Sequence, residues 1–189
     1  LFCIPIVTIG ASLTACHYVA LKIRRGEGYV LKNFWKSFKM NLGQSTVIWF
    51  IMAINIGLCS CVTLFFGANG TVGALIKGVL LVALVFWAFI SCWIFPVQSK
   101  FINNIGTTFK NSFLLAFKYL FRTILMLVIN LIPVVLFLFL SFQWYSILLL
   151  FGFSAPAYLC AMLYDKKFEE IENMILDREA GVVIEEGTN

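Results

Sequence analysis

Charge is what this sequence has least of. Of its 189 residues, 12% are Asp, Glu, Lys or Arg and 61% are hydrophobic. Soluble domains carry about 25% charged residues, so a soluble reading is excluded. One histidine, His17, is present, and it has no partner at metal-ligand spacing, whereas a zinc site needs about four N or S donors. There is no P-loop, no H-E-x-x-H, no G-x-S-x-G and no pair of carboxylates within an apolar stretch, which leaves ATPase and hydrolase chemistry without its groups. The E-A-A-type cytoplasmic signature expected of a binding-protein-dependent ABC permease is missing too. No enzyme, no metal and no cofactor are therefore expected.

What the chain does have is apolar length with charge between. Twenty Phe and five Trp add to runs long enough to cross a bilayer, for which roughly 20 apolar residues suffice. The pattern predicts an all-α, polytopic helical membrane protein with about five transmembrane helices, over 1–21, 42–66, 72–96, 123–140 and 146–164. Residues 1–165 then form a single transmembrane domain, and 166–189 an acidic tail. Leu1 opens inside an apolar run without an initiator Met, so the true N-terminus is expected upstream. That run lacks a basic n-region and an A-x-A site and ends in Lys and Arg, which argues against a signal peptide.

The basic residues alternate in side. Ten of the fourteen lie in two connections, Lys22, Arg24, Arg25, Lys32, Lys36 and Lys39 in the first and Lys100, Lys110, Lys118 and Arg122 in the second. The opposite connections carry only Lys77. By the positive-inside rule the basic connections are cytoplasmic, which puts the C-terminus inside a cell membrane. The turns at 67–71 and 141–145 fall outside, with Trp144 and Tyr145 at the interface.

Both basic connections are longer than a turn requires. In the first, Leu31, Phe34, Trp35, Phe38 and Leu42 recur at helical spacing, with Lys32, Lys36 and Lys39 on another face. In the second, Ile105, Phe109, Phe113, Phe117 and Leu120 form a stripe, with Lys110 and Lys118 off it. These read as two cytoplasmic amphipathic helices, the second running on into the fourth span. Lysines interleaved with Phe and Trp beside a membrane suit anionic headgroups or a partner rather than nucleic acid. The contact residues expected are Lys32, Phe34, Trp35, Lys36, Phe38, Lys39, Phe113, Phe117 and Lys118. The shared F-x-x-x-F-K suggests a parallel internal repeat, each copy following a span with an X-Pro step, Ile4-Pro5 and Phe95-Pro96.

Within the spans, Asn55 and Asn130 are the deepest polar residues. Interhelical hydrogen bonding is their plain role; lining a path for a neutral solute is the sharper one. Asn130 and Pro133 mark an expected kink. Gly152, Ala157 and Ala161 offer small faces for helix packing. His17 reads as interfacial or packing, and the six cysteines as small packing residues. The tail, from Asp165, holds eight acids and three bases. Phe168, Ile171, Met174 and Ile175 give it an apolar face, Gly181 is expected to end its helix, and its charge suits either docking on the basic surface or on a partner, or a solvated helix end.

Three stretches resemble the YesL-like family of bacterial integral membrane proteins, a domain of unknown function. They are Ile4–Ala11, Gly28–Asn41 with its N-F-W-K-S-F-K core, and Phe95-Pro96 followed by Lys110–Ala116. The resemblance spans most of residues 1–165. It implies association with carbohydrate ABC importers in Firmicutes, as a non-catalytic accessory subunit packing beside the permeases, and through them beside an ATPase and a sugar-binding protein. It carries over no catalytic residue. A stand-alone small transporter or channel for a neutral solute is the alternative.

Overall fold

The computed structural model describes residues 8–65, 71–139 and 152–187. Six helices account for nearly all of them: α1 (Ile9–Arg24), α2 (Val30–Phe65), α3 (Thr71–Lys100), α4 (Ile105–Lys118), α5 (Leu120–Phe139) and α6 (Ser154–Gly187). The chain is a helical membrane protein. Among the described residues, three helices hold stretches long and apolar enough to cross a bilayer, Val30–Val62, Gly73–Lys100 and Leu120–Phe137. Only 17%, 22% and 11% of their most apolar windows is buried inside the protein. The remaining apolar surface faces outward, as it must where lipid is the solvent. The first seven residues, the turns expected at 67–71 and 141–145 with Trp144 and Tyr145, and the start of the fifth span lie wholly or partly outside the described residues.

α1 ends in a Schellman motif. Gly26 has φ +79°, the Gly26 N–H donates to the Ile23 carbonyl, and the Glu27 N–H reaches back to that of Lys22 at 3.0 Å. A glycine in the left-handed region lets the last carbonyls find donors, and the chain reverses into α2. The two helices then pack closely. A Cβ on Gly10 would meet the carbonyl oxygen of Ser45 and lie 2.8 Å from Trp49 Cβ. Beside that crossing the Thr14 and Ser45 hydroxyls hydrogen-bond at 2.9 Å.

α3 and α6 complete the centre. The fully buried side chains of Trp93, Tyr164, Phe168 and Met126 pack with Ala20, Leu21, Val97, Ala116, Cys160 and Ala161 in one cluster. A second joins Ile48, Met52, Ile94 and Phe95. Pro96 and Pro133 both lie inside helices that continue past them.

Three expectations about helix boundaries do not hold. The first amphipathic segment is not a separate element: it forms the opening turns of α2, which runs 36 residues without a break. The second does not run on into its span. It stops at Tyr119, whose φ −118° and ψ 48° leave the helical region. The break is held from the side: the Thr123 hydroxyl lies 2.9 Å from the Ala116 carbonyl and accepts from Trp93 Nε1 at 2.8 Å. The two segments thus differ in the feature a repeat would share. Nor does Gly181 end the last helix, which continues to Gly187.

Candidate functional site: the basic end of the bundle

The α1–α2 connection, the α3–α4–α5 connection and the middle of α6 meet at one end of the bundle. The acidic helix docks there on the chain's own basic residues. Asp165 lies 2.9 Å from Arg24 Nε and 3.9 Å from Arg25 Nε. Glu172 lies 2.6 Å from Lys100 Nζ and 3.7 Å from Arg25 Nη2. The Lys100 hydrogen bond, helped by Arg25, holds the Glu172 carboxyl below its ordinary pKa. The pairs stand over an aromatic floor, in which Tyr164 and Phe168 rings approach to 4.8 Å and Phe101 meets Phe168 edge-on at 5.3 Å.

Polar side chains brace the same end. Gln44 Nε2 donates to the Asn103 carbonyl at 2.6 Å, tying α2 to the α3–α4 connection. Asn41 Nδ2 donates back to the Ser37 carbonyl at 3.0 Å. Arg122 Nη1 donates to the Leu163 carbonyl at 2.7 Å, joining α5 to α6.

The expected contact residues divide between inside and outside. On α2, Phe38 is buried and Phe34 half-buried against Ala11 and Ala15. Trp35 is exposed, edge-on to Phe38, and Lys39 Nζ lies 5.8 Å from its ring. Lys32, Lys36 and Lys39 are exposed. On α4 the stripe is split. Ile105 and Phe109 pack against the Ile48–Ile94 cluster, whereas Phe113 and Phe117 are both 42% exposed, beside exposed Leu114 and Lys118, with the Phe117 ring 5.6 Å from that of Phe86 on α3. The buried face of α4 is Thr108, Ser112, Leu115 and Ala116.

Asn55 and Asn130 do not share a site. Each amide donates to a carbonyl one turn back in its own helix, Asn55 to Ile51 at 2.7 Å and Asn130 to Met126 at 2.8 Å, and Asn130 also reaches across to Cys160 Sγ on α6 at 3.6 Å. Asn130 does line a cavity of about 550 Å³ between α1, α5 and the start of α6, with His17, Leu13, Pro133 and Phe137. Asn55 does not line it. His17 is a packing residue: it is buried, and Nδ1 lies 2.9 Å from the Tyr164 hydroxyl. Gly152 borders the cavity, and Ala157 and Ala161 are buried along α6. Among the described residues, no three His, Cys, Asp or Glu side chains are grouped as metal ligands would be.

The convergence of Arg24 and Arg25 with Asp165, and of Lys100 with Glu172, escaped sequence reasoning as pairs, although the opposite signs of the two regions did point to docking. The aromatic floor had a signal in Tyr164 and Phe168, four apart on the face that carries Cys160 and Ala161.

A family model described as "Protein of unknown function, DUF624" matches residues 1–64. That stretch takes in two of the three motifs behind the family resemblance, Ile4–Ala11 and Gly28–Asn41, together with α1 and nearly all of α2. No curated protein and no solved structure matches the chain.

Proposed function

We propose that this chain is a non-catalytic accessory subunit of a bacterial carbohydrate ABC importer, packing beside the permease subunits in the cytoplasmic membrane with its basic end and C-terminus inside. The observation that carries the subunit role is the outward face of α4. There Phe113, Leu114 and Phe117 stay exposed while Thr108 and Ser112 are buried. Large apolar side chains left exposed beside buried small polar ones have apolar contacts to make with something other than the chain's own core. The importer itself, and sugar as its cargo, come from the resemblance to the YesL-like family.

Mass spectrometry of what remains bound to the tagged chain after mild solubilisation tests this. Two permeases and an ATPase in near-equal amounts are expected. Repeated recovery of this chain alone would remove the reading. Replacing Lys32, Lys36 and Lys39 with Glu is expected to lower complex yield, and unchanged yield and uptake would exclude those lysines from the contact. The cavity beside Asn130 favours one second reading, a stand-alone transporter or channel for a neutral solute. Purified chain in vesicles that moves no sugar or polyol would remove it.

A further inference from the structure

Three cations from three helices gather around one ring where α4 gives way to α5. Lys118 Nζ lies 5.5 Å from the Tyr119 ring centroid. Arg122 Cζ and Lys167 Nζ each lie 5.8 Å from it. Only the folded chain brings them together, since α4, α5 and α6 contribute one each. Their local compensation is incomplete. Glu170 pairs with Lys167 at 2.6 Å, and Arg122 spends one N–H on the Leu163 carbonyl. Asp165 and Glu172 are engaged by Arg24, Arg25 and Lys100. The patch therefore keeps excess positive charge. α5 also begins here, so the positive end of its dipole adds to the same field.

The position along the chain says what kind of anion fits. Arg122 sits in the first turn of a stretch, Leu120–Phe137, that is long and apolar enough to cross a bilayer. Directly beside the cations, Leu120, Phe121 and Leu125 are exposed, Phe121 at 75%. An anion bound here would have its charge among Lys118, Arg122 and Lys167 and an apolar wall running away from it. That is the outline of a phospholipid, with a headgroup at the cations and a chain along α5. Guanidinium suits phosphate through its planar fork, and ammonium groups through charge. The row of Lys32, Lys36 and Lys39 differs, lying exposed along a single helix with no second element to close a site. We propose that Lys118, Arg122 and Lys167, arranged around Tyr119, bind the phosphate of an anionic phospholipid whose acyl chain lies along Leu120, Phe121 and Leu125.

Native mass spectrometry of the full chain, given equal amounts of phosphatidylglycerol and phosphatidylcholine, tests the site. Preferential retention of phosphatidylglycerol is expected, by roughly fivefold, the change one well-placed cation supplies near a membrane surface. The triple variant Lys118→Gln, Arg122→Gln, Lys167→Gln is expected to lose the preference. Because Arg122 also holds α6, the double variant Lys118→Gln, Lys167→Gln keeps that bond and is expected to lose most of the preference while remaining folded. Lys32→Gln, Lys36→Gln, Lys39→Gln is expected to keep it. Equal retention of the two lipids by the native chain, or an unchanged preference in the double variant, would overturn the proposal. Displacement of the lipid by millimolar inorganic phosphate would identify a site for the free anion and overturn the lipid assignment.

Discussion

Two residues carry more of the bundle than their size suggests. Gly26 is open to space on all sides, with nothing within 4 Å of where a Cβ would be, so its requirement is purely conformational. A side chain held at φ +79° costs about 1–2 kcal/mol in the left-handed region. Gly26→Ala is thus expected to lower stability by that amount in a denaturation series, and Gly26→Asn by less, since asparagine tolerates the conformation. Thr123 acts through hydrogen bonds. Its buried hydroxyl accepts from Trp93 Nε1 and lies within bonding distance of the Ala116 and Tyr119 carbonyls. Thr123→Val keeps the shape and strands the indole N–H in the core, at about 1–3 kcal/mol. Thermal unfolding followed by tryptophan fluorescence should show the loss, with Thr123→Ser close to the parent; equal stability of the valine variant would mean the indole finds another acceptor.

At the scale of helices, the α1–α2 crossing is set by the absence of a side chain at Gly10. Backbone stands where its Cβ would go, so Gly10→Ala must part the helices and break the Thr14–Ser45 contact, an overpacking cost of about 1–3 kcal/mol. A disulfide-trapping or distance measurement between the helices should register the separation; an unmoved pair would show that α2 can yield at Ser45. This crossing was hard to read beforehand because Gly10, in an apolar run, looks like an interruption of a span. The helical, apolar character was legible, since mean hydropathy and run length report directly on what lipid requires: three described helices, α2, α3 and α5, hold stretches long and apolar enough to cross a bilayer. The inward faces were less so. Periodicity marks which residues of a helix share a side, not which side is inward, and in lipid an apolar stripe no longer implies burial. That is why Phe113 and Phe117 of the expected stripe face out while Thr108 and Ser112 face in. The break at Tyr119 depends on Thr123 being met by Trp93, thirty residues away, and so belongs to packing rather than to the local pattern.

At the scale of the whole molecule, the basic end joins the two halves of the chain: α6 is fastened to α1 and α3 through residues more than 70 positions apart. Phe168 supplies the buried anchor and the ion pairs set the register. Glu172, 42% exposed, is the partner that responds to pH, because Lys100 holds its carboxyl below the ordinary value of 4.5. A carboxyl with a depressed pKa in the docked helix favours docking fully above the released value. It loses that contribution as pH falls through the depressed one. Release of the acidic end of α6 is therefore expected on acidification below about pH 4.5, with no counterpart on moderate alkalinisation. Added salt should weaken the same contact at neutral pH, since the pair is partly open to solvent. Limited proteolysis or hydrogen exchange across residues 166–177 reads the release directly. In Glu172→Gln the acid-dependent step should shrink, while Asp165 and Phe168 still hold the upper part of α6. If protection across this segment fell equally with pH in both forms, the Glu172–Lys100 contact would not be the switch.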